Sequence, residues 1–307
     1  MNPKQFIGSE ANSTYAEAKV VILPIPYEKT TTYRQGCQNA PEAIITASDQ
    51  LEAYDIELGL EVCQQTGIYT TKAIASTKVN PDLSPEAMID IVRSKISTLI
   101  ADGKFIIALG GEHSITAGIV RAYQQHFSQP FTVVQIDAHG DMRHTYEGSI
   151  YNHACVMRRV LDLQLPTLPV GIRSICLEEA ELIEQQQIPV VWAKDIYRDS
   201  QWCERAIASI ATEKVFLTID LDGLDPSLMP GVGTPEPGGL NWYELTKFLR
   251  LLFAKHQVIG CDVMELSPTS DSVVSEFTAA KLIYKLIGYS QSPNLQPENS
   301  IKSSIPA

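Results

Sequence analysis

Six side chains of cation-binding type occur in this sequence in spaced sets. In VVQIDAHGD (133–141), Asp137, His139 and Asp141 follow an apolar run at i, i+2 and i+4. In FLTIDLDGLDP (216–226), Asp220 and Asp222 repeat the alternation, and IIALGGEHS (106–114) ends in Glu112 and His113. Alternate residues of an extended segment share a face, so each set can converge on one point. Buried carboxylates without a partner are costly because desolvation penalises their charge. A polyvalent cation removes that cost. One aspartate at a strand end would read as a helix cap or a loop residue, and Asp225, just before Pro226, reads as a turn former. Asp-x-His-x-Asp and Asp-x-Asp together point to a metal.

Four aspartates and two histidines with no cysteine suit hard divalent ions, and Mn²⁺ is the expected metal. Ni²⁺ or another divalent ion shares these ligand types. Six ligands exceed what one tetrahedral Zn²⁺ uses. Carboxylates bridge readily, so two cations are expected. A water shared between them is acidified into a nucleophile near neutral pH. Two divalent ions balance four aspartates, and a deprotonated water leaves the site slightly negative. That balance suits a cationic substrate.

The elements that must position these residues are apolar runs read as buried parallel strands: 19–25, 104–110, 131–137, 215–221 and 257–266, with shorter candidates at 168–174 and 188–193. Helical stretches alternate with them at 40–48, 84–103, 114–127, 177–187, 200–212, 241–256 and 275–289. Ser84 reads as an N-cap, Pro85 as the first helical residue and Gly103 as the residue just past the C-cap. Alternation of this kind predicts an α/β fold on a mostly parallel sheet. The polar residues lie at the carboxyl ends of the runs, where open parallel sheets bind ligands.

No linker divides the chain. The expected organisation is an N-terminal extension (1–15), one domain (16–289) and a loose Pro/Ser-rich tail (290–307). Of the 307 residues, 44% are hydrophobic and 20% charged, enough apolar character for a substantial core. The net charge of -12 argues against nucleic acid and anionic membranes as partners. Six scattered cysteines without a C-x-x-C pair read as reduced thiols. No apolar run reaches membrane-spanning length, and the start lacks a secretory h-region, so a cytoplasmic setting is expected.

GGEHS, DAHGD and TIDLDGLDPSLMPGVGTPEPGG together resemble the ureohydrolase family of arginases and agmatinases, most closely its bacterial agmatinases. YRQGCQNAPEAI (33–44), YEGSIYNHACVMRR (146–159), GIRS (171–174) and DVMELSP (262–268) also fit, so the likeness spans nearly the whole chain. It implies an arginase-like three-layer α/β/α sandwich assembled as a homotrimer or homohexamer. One metal would take His113, Asp137, Asp141 and Asp220. The other would take Asp137, His139, Asp220 and Asp222, with Asp137 and Asp220 bridging. His153 would pass a proton to the leaving amine, and Glu265 would hold the substrate's guanidinium. His153, Glu265 and Asp141 are the candidate catalytic residues.

Taken without the resemblance, His153 also reads as a loop histidine, with His144 its neighbour and competitor. Glu265 could instead pair with a base at the sheet edge. Asp262 reads as structural and Glu112 as a support beside the site. His126 and His256 end helices, where histidines are common. Arg143 stands where arginase-type sites tend to carry a small amide. PGVGTPEPGG lacks the Lys-Ser/Thr of a phosphate loop and reads as a rigid pocket wall.

The expected activity is hydrolysis of a small cationic guanidino compound, first of all agmatine to putrescine and urea. An arginase or guanidinobutyrase-type substrate is the alternative within the family. A non-catalytic metal-binding scaffold is the alternative of another class. A binuclear phosphoesterase fits less well, because no basic residue lies inside the metal motifs.

Overall fold

Apolar strands with side chains on both faces need cover on both sides, and the chain supplies it. A computed structural model describes residues 3–10 and 13–291. Eight parallel strands form the central sheet: β1 (Val20–Ile25), β2 (Ile68–Thr70), β3 (Phe105–Gly110), β4 (Thr132–Ile136), β5 (Thr167–Ile172), β6 (Val191–Trp192), β7 (Lys214–Asp220) and β8 (Gln257–Met264). Their order is β2-β1-β3-β8-β7-β4-β5-β6.

The period-two alternation divides each strand between two cores. Val21, Leu23 and Ile25 of β1, with Ile106 and Ala108 of β3, pack against α2 (Pro85–Ala101), α3 (Thr116–His126) and α4 (Val156–Asp162). Val20 and Ile22, with Ile107 and Leu109, face the opposite layer. That layer contains α1 (Ala40–Ser48), α6 (Trp202–Ala208), α7 (Trp242–Lys255) and α8 (Val274–Gln291). The result is the expected three-layer α/β/α sandwich. A further helix, α5 (Leu177–Gln186), follows β5.

Local signals set the helix ends. Ser84 accepts from the Ala87 amide at 3.3 Å and Pro85 opens α2, while Gly103 beyond it has φ 70°. Asn241 and Glu244 form a reciprocal cap on α7, with bonds of 3.0 and 2.9 Å. The expected helix at 200–212 is shorter, because the Ser209 hydroxyl bonds the Ala206 carbonyl at 2.7 Å and competes with further turns. No expected strand covers β2, whose three residues are too short for a periodic signal.

Residues 5–7 of the N-terminal extension are docked. Phe6 and Ile7 are buried, and the Gln5 side chain pairs both ways with the Thr70 backbone, at 2.8 and 3.2 Å. It thereby covers the open edge of β2, which would otherwise present unpaired backbone groups. At the other end, α8 continues to Gln291, two residues past the expected boundary; residues 292–307 of the expected tail lie outside the described residues.

Candidate active site

The sheet order brings the carboxyl ends of β3, β8, β7 and β4 side by side, and the three spaced sets meet there. Where β3 ends, a Cβ at Gly110 would collide with the Met264 sulfur and one at Gly111 with the Tyr27 carbonyl, so only glycines fit there. His113 follows, fully buried. Its Nδ1 lies 3.2 Å from Asp137 Oδ2, 3.2 Å from Asp141 Oδ2 and 3.3 Å from Asp220 Oδ2. His139 Nδ1 lies 2.9 Å from Asp222 Oδ2 and 3.7 Å from Asp137 Oδ1. Asp137 thus belongs to both groups of converging donors, one with His113 and Asp141, the other with His139 and Asp222. All six residues expected from the sequence come together.

Local bonds hold the carboxylates in place. The Asp137 Oδ1 accepts from the His139 amide at 2.7 Å, Asp220 Oδ1 from the Asp222 amide at 2.9 Å, and Asp222 Oδ1 from the Ala138 amide at 3.1 Å. Asp141 has φ 53° and Glu265 φ 66°, a left-handed backbone uncommon outside glycine and often found at functional positions.

The electrostatics fit a bound cation. No lysine or arginine side chain pairs with these aspartates among the described ion pairs. Burial, reinforced by the charges of Asp141 and Asp222, pushes Asp137 up to about 7. Asp220 is raised by burial and by its aspartate neighbours. Burial works against charge on His139, but the Asp222 bond and surrounding carboxylates overcome it and push the imidazole up to about 11. Asp222 is lowered to about 2 against the opposing effect of burial, chiefly by the His139 bond. His113 Nδ1 is buried without a hydrogen bond although three carboxylate oxygens surround it. The cluster is short of positive charge, and an orphaned imidazole nitrogen faces the place where such charge belongs.

The pocket over this cluster is lined by His153, Glu265, Arg143, Tyr146, Gly233 and Thr234, among others. His153 Nδ1 is 3.8 Å from Glu265 Oε1, and that oxygen also accepts from the His113 amide at 2.6 Å. Arg143 lies over the Tyr146 ring, 4.7 Å from its centroid. His144 is exposed, with its amide donated to Glu178 at 3.0 Å, and does not line the pocket. Gly233 and Thr234 place the Gly/Pro-rich segment in the pocket wall. Asp225 accepts from Ser227 and Gly238 in a turn.

Glu112, read from the sequence as a support beside the site, is joined there by Thr30, Gln135, Thr218 and Arg173, which are not among the sequence candidates. Glu112 accepts from the Thr30 amide and hydroxyl at 2.6 and 2.7 Å, and Thr30 Oγ1 accepts from the His153 amide at 3.0 Å. Gln135 Nε2 donates to Asp137 Oδ2 at 2.8 Å, and Thr218 Oγ1 is 2.8 Å from His113 Nε2. Gln135 and Thr218 each stand two residues before a converging aspartate, in an otherwise apolar strand. That placement is a signal the sequence carried. Arg173 donates to the carbonyls of Asp222 at 2.6 Å and Glu236 at 2.8 Å, tying the end of β7 to the pocket wall.

The family model described as "Arginase family" matches residues 18–288. The chain belongs to the arginase family. An N(1)-aminopropylagmatine ureohydrolase from Synechocystis sp. is 61% identical over 287 residues, covering 94% of this chain and 94% of the relative. The enzyme of that name from Thermus thermophilus is 33% identical, covering 92% and 94%. Among solved structures, the agmatine ureohydrolase of Thermoplasma volcanium superposes with a TM-score of 0.82 at 34% identity, covering 95% of each chain. Arginase-family proteins use a binuclear metal site, and this member is a ureohydrolase-type hydrolase with a His/Asp cluster where such a site belongs. No helix among the described residues is long and apolar enough to cross a membrane.

Proposed function

We propose that this protein hydrolyses the guanidino group of N(1)-aminopropylagmatine, releasing urea and the corresponding triamine. The observation that carries this reading is the convergence of His113, Asp137, His139, Asp141, Asp220 and Asp222 beneath a pocket containing Glu265 and His153. The choice of substrate rests on the 61% identity to the Synechocystis enzyme. Agmatine, the substrate expected from the sequence, is the second reading, favoured by the likeness to the Thermoplasma structure.

His113, Asp137, Asp141 and Asp220 would hold one divalent cation, and Asp137, His139, Asp220 and Asp222 the other, with Mn²⁺ the proposed metal. When bound, the pair supplies an acidified water as nucleophile near neutral pH. The chain's own residues do the rest. A guanidinium carbon is a poor electrophile because resonance spreads its charge, so orientation matters. Glu265 meets the guanidinium through charge-assisted hydrogen bonds, using the acceptor capacity left beside its bond to the His113 amide. Water oxygen adds to the guanidinium carbon and gives up both its protons, the bond to the substituted nitrogen breaks, and the amine leaves as an ammonium carrying those two protons, one of them delivered by way of His153. Glu112 and Thr30 hold the backbone of His153 for that transfer. In this reading the enzyme works in the cytoplasm as a homotrimer or homohexamer.

The test is urea release by the full chain with Mn²⁺ from N(1)-aminopropylagmatine, agmatine, arginine and 4-guanidinobutyrate. The expected outcome is the highest kcat/KM with N(1)-aminopropylagmatine. Equal or faster turnover of agmatine moves the assignment to the second reading. No urea from any of the four leaves a scaffold role.

A further inference from the structure

His113 has two ring nitrogens in two different environments. Nδ1 faces Asp137, Asp141 and Asp220, while Nε2 is 2.8 Å from Thr218 Oγ1. Thr218 Oγ1 in turn lies 2.6 Å from Asp262 Oδ1, and Asp262 Oδ2 accepts from Thr116 Oγ1 at 2.8 Å. All four residues are fully buried or nearly so. Strand register places them together: Thr218 of β7 and Asp262 of β8 are direct partners on adjacent parallel strands, and β8 lies next to β3, which leads into His113.

With Asp262 ionised, the short contacts along this chain leave one arrangement; the remaining contact, Thr116 Oγ1 to Thr218 Oγ1 at 3.4 Å, is the longest and draws neither proton from Asp262. An ionised carboxylate only accepts. A hydroxyl has one proton to give, and Thr116 gives its own to the far oxygen of Asp262. Thr218 must therefore spend its proton on Asp262 Oδ1; turned the other way, two oxygen lone pairs would face each other at 2.6 Å in a dry interior. At His113, Thr218 is then left as an acceptor, so Nε2 carries the hydrogen and Nδ1 carries the lone pair.

We propose that Thr218 and Asp262 are a positioning pair that holds His113 in the Nε2–H tautomer and so sets the cation affinity of the site it shares with Asp137, Asp141 and Asp220. The inference rests on the two-cation reading above. Partners of this kind fix the tautomer of a ligating histidine and raise its basicity, and their loss typically costs about 10–100-fold in metal affinity.

The test is a Mn²⁺ binding isotherm on the purified full chain, with free Mn²⁺ counted by electron paramagnetic resonance. Wild type is expected to bind two ions tightly. Thr218→Val keeps the shape and loses the hydroxyl; it should weaken one ion by about 10–100-fold and spare the other. Asp262→Asn should do the same. Its amide can donate to Thr218 Oγ1, which turns the hydroxyl toward Nε2 and selects the opposite tautomer. Thr218→Ser keeps the hydroxyl and should bind both ions as wild type does. The proposal is overturned if Thr218→Val, folded by circular dichroism, binds both ions unchanged or loses both equally. It is also overturned if Thr218→Ser is as weak as Thr218→Val, since packing would then be the cause. A wild-type chain that binds no Mn²⁺ removes the two-cation reading itself, an outcome distinct from these.

Discussion

Two clusters of acids are withdrawn from water in this molecule, and they are balanced in opposite ways. Near the amino end of the hairpin at 54–61, Asp55 and Glu57 meet bases of the chain itself. Lys285 of α8 bridges both at 2.8 and 2.7 Å, and Arg250 of α7 lies 3.3 Å from Glu57. Tyr289 and two backbone amides complete the donors. At the carboxyl edge of the sheet, four aspartates meet two histidines, and among the described residues no lysine or arginine forms an ion pair with their carboxylates. The first cluster carries its own bases and fastens a loop to two helices, although Asp55 Oδ2 is buried without a hydrogen bond. The second leaves a deficit of positive charge under a pocket, which is what a site for cations requires. Burial alone therefore does not distinguish a structural acid from a functional one; the source of its counter-charge does.

The contrast breaks most visibly at Asp137. Asp137→Ala is expected to bind neither cation and to release urea only at background, because this carboxylate is shared by both donor groups. Metal analysis of the purified variant checks it, and two retained ions per chain would show that Asp137 is not shared. Lys285→Ala is the corresponding change in the first cluster. Removing one partner strands a buried acid, so a loss of about 3–5 kcal/mol in urea denaturation is expected, with cation binding intact. A stability change well under that would mean that the Asp55 cluster is open to water.

The mildest effect is a pH dependence of the stripped protein. Asp137 in the folded chain titrates near about 7, above its unfolded value of about 3.9. An acid raised in this way contributes stability that is fully present below the unfolded value and is lost as pH rises through the folded one. Asp220 has the same sign. Chelated protein should thus fall further behind Mn²⁺-loaded protein in Tm between about pH 4 and 7. A gap that stays constant over that range would mean the aspartates are already balanced without a cation.

Much of the architecture was legible because long strands and capped helices carry strong local signals. The capped start of α2 follows from Ser84 and Pro85. The edge strands were not legible to the same degree. Ile68–Thr70 is too short for periodicity and is defined by pairing with its neighbour, while only Val191 and Trp192 of the expected 188–193 run pair as strand. In the candidate site, the alternating aspartates and histidines announced themselves by type and spacing. Thr30 and Arg173 did not, since threonine and arginine have many bland uses and their partners are remote in sequence; Gln135 and Thr218 carried only the weaker signal of a polar residue two positions before an aspartate. Thr30 lies 123 residues from the His153 amide it receives.

By itself, the sequence determined which side chains can bind cations, that alternate positions place them on one face, and that strands and helices must alternate to cover a parallel sheet. Those are local properties of spacing and side-chain chemistry. Only the tertiary structure decided that β3, β8, β7 and β4 stand next to one another, that His153 rather than His144 lines the pocket, and which nitrogen of His113 faces the aspartates. Those depend on strand order and on hydrogen bonds between residues far apart in the chain, and no local pattern encodes either.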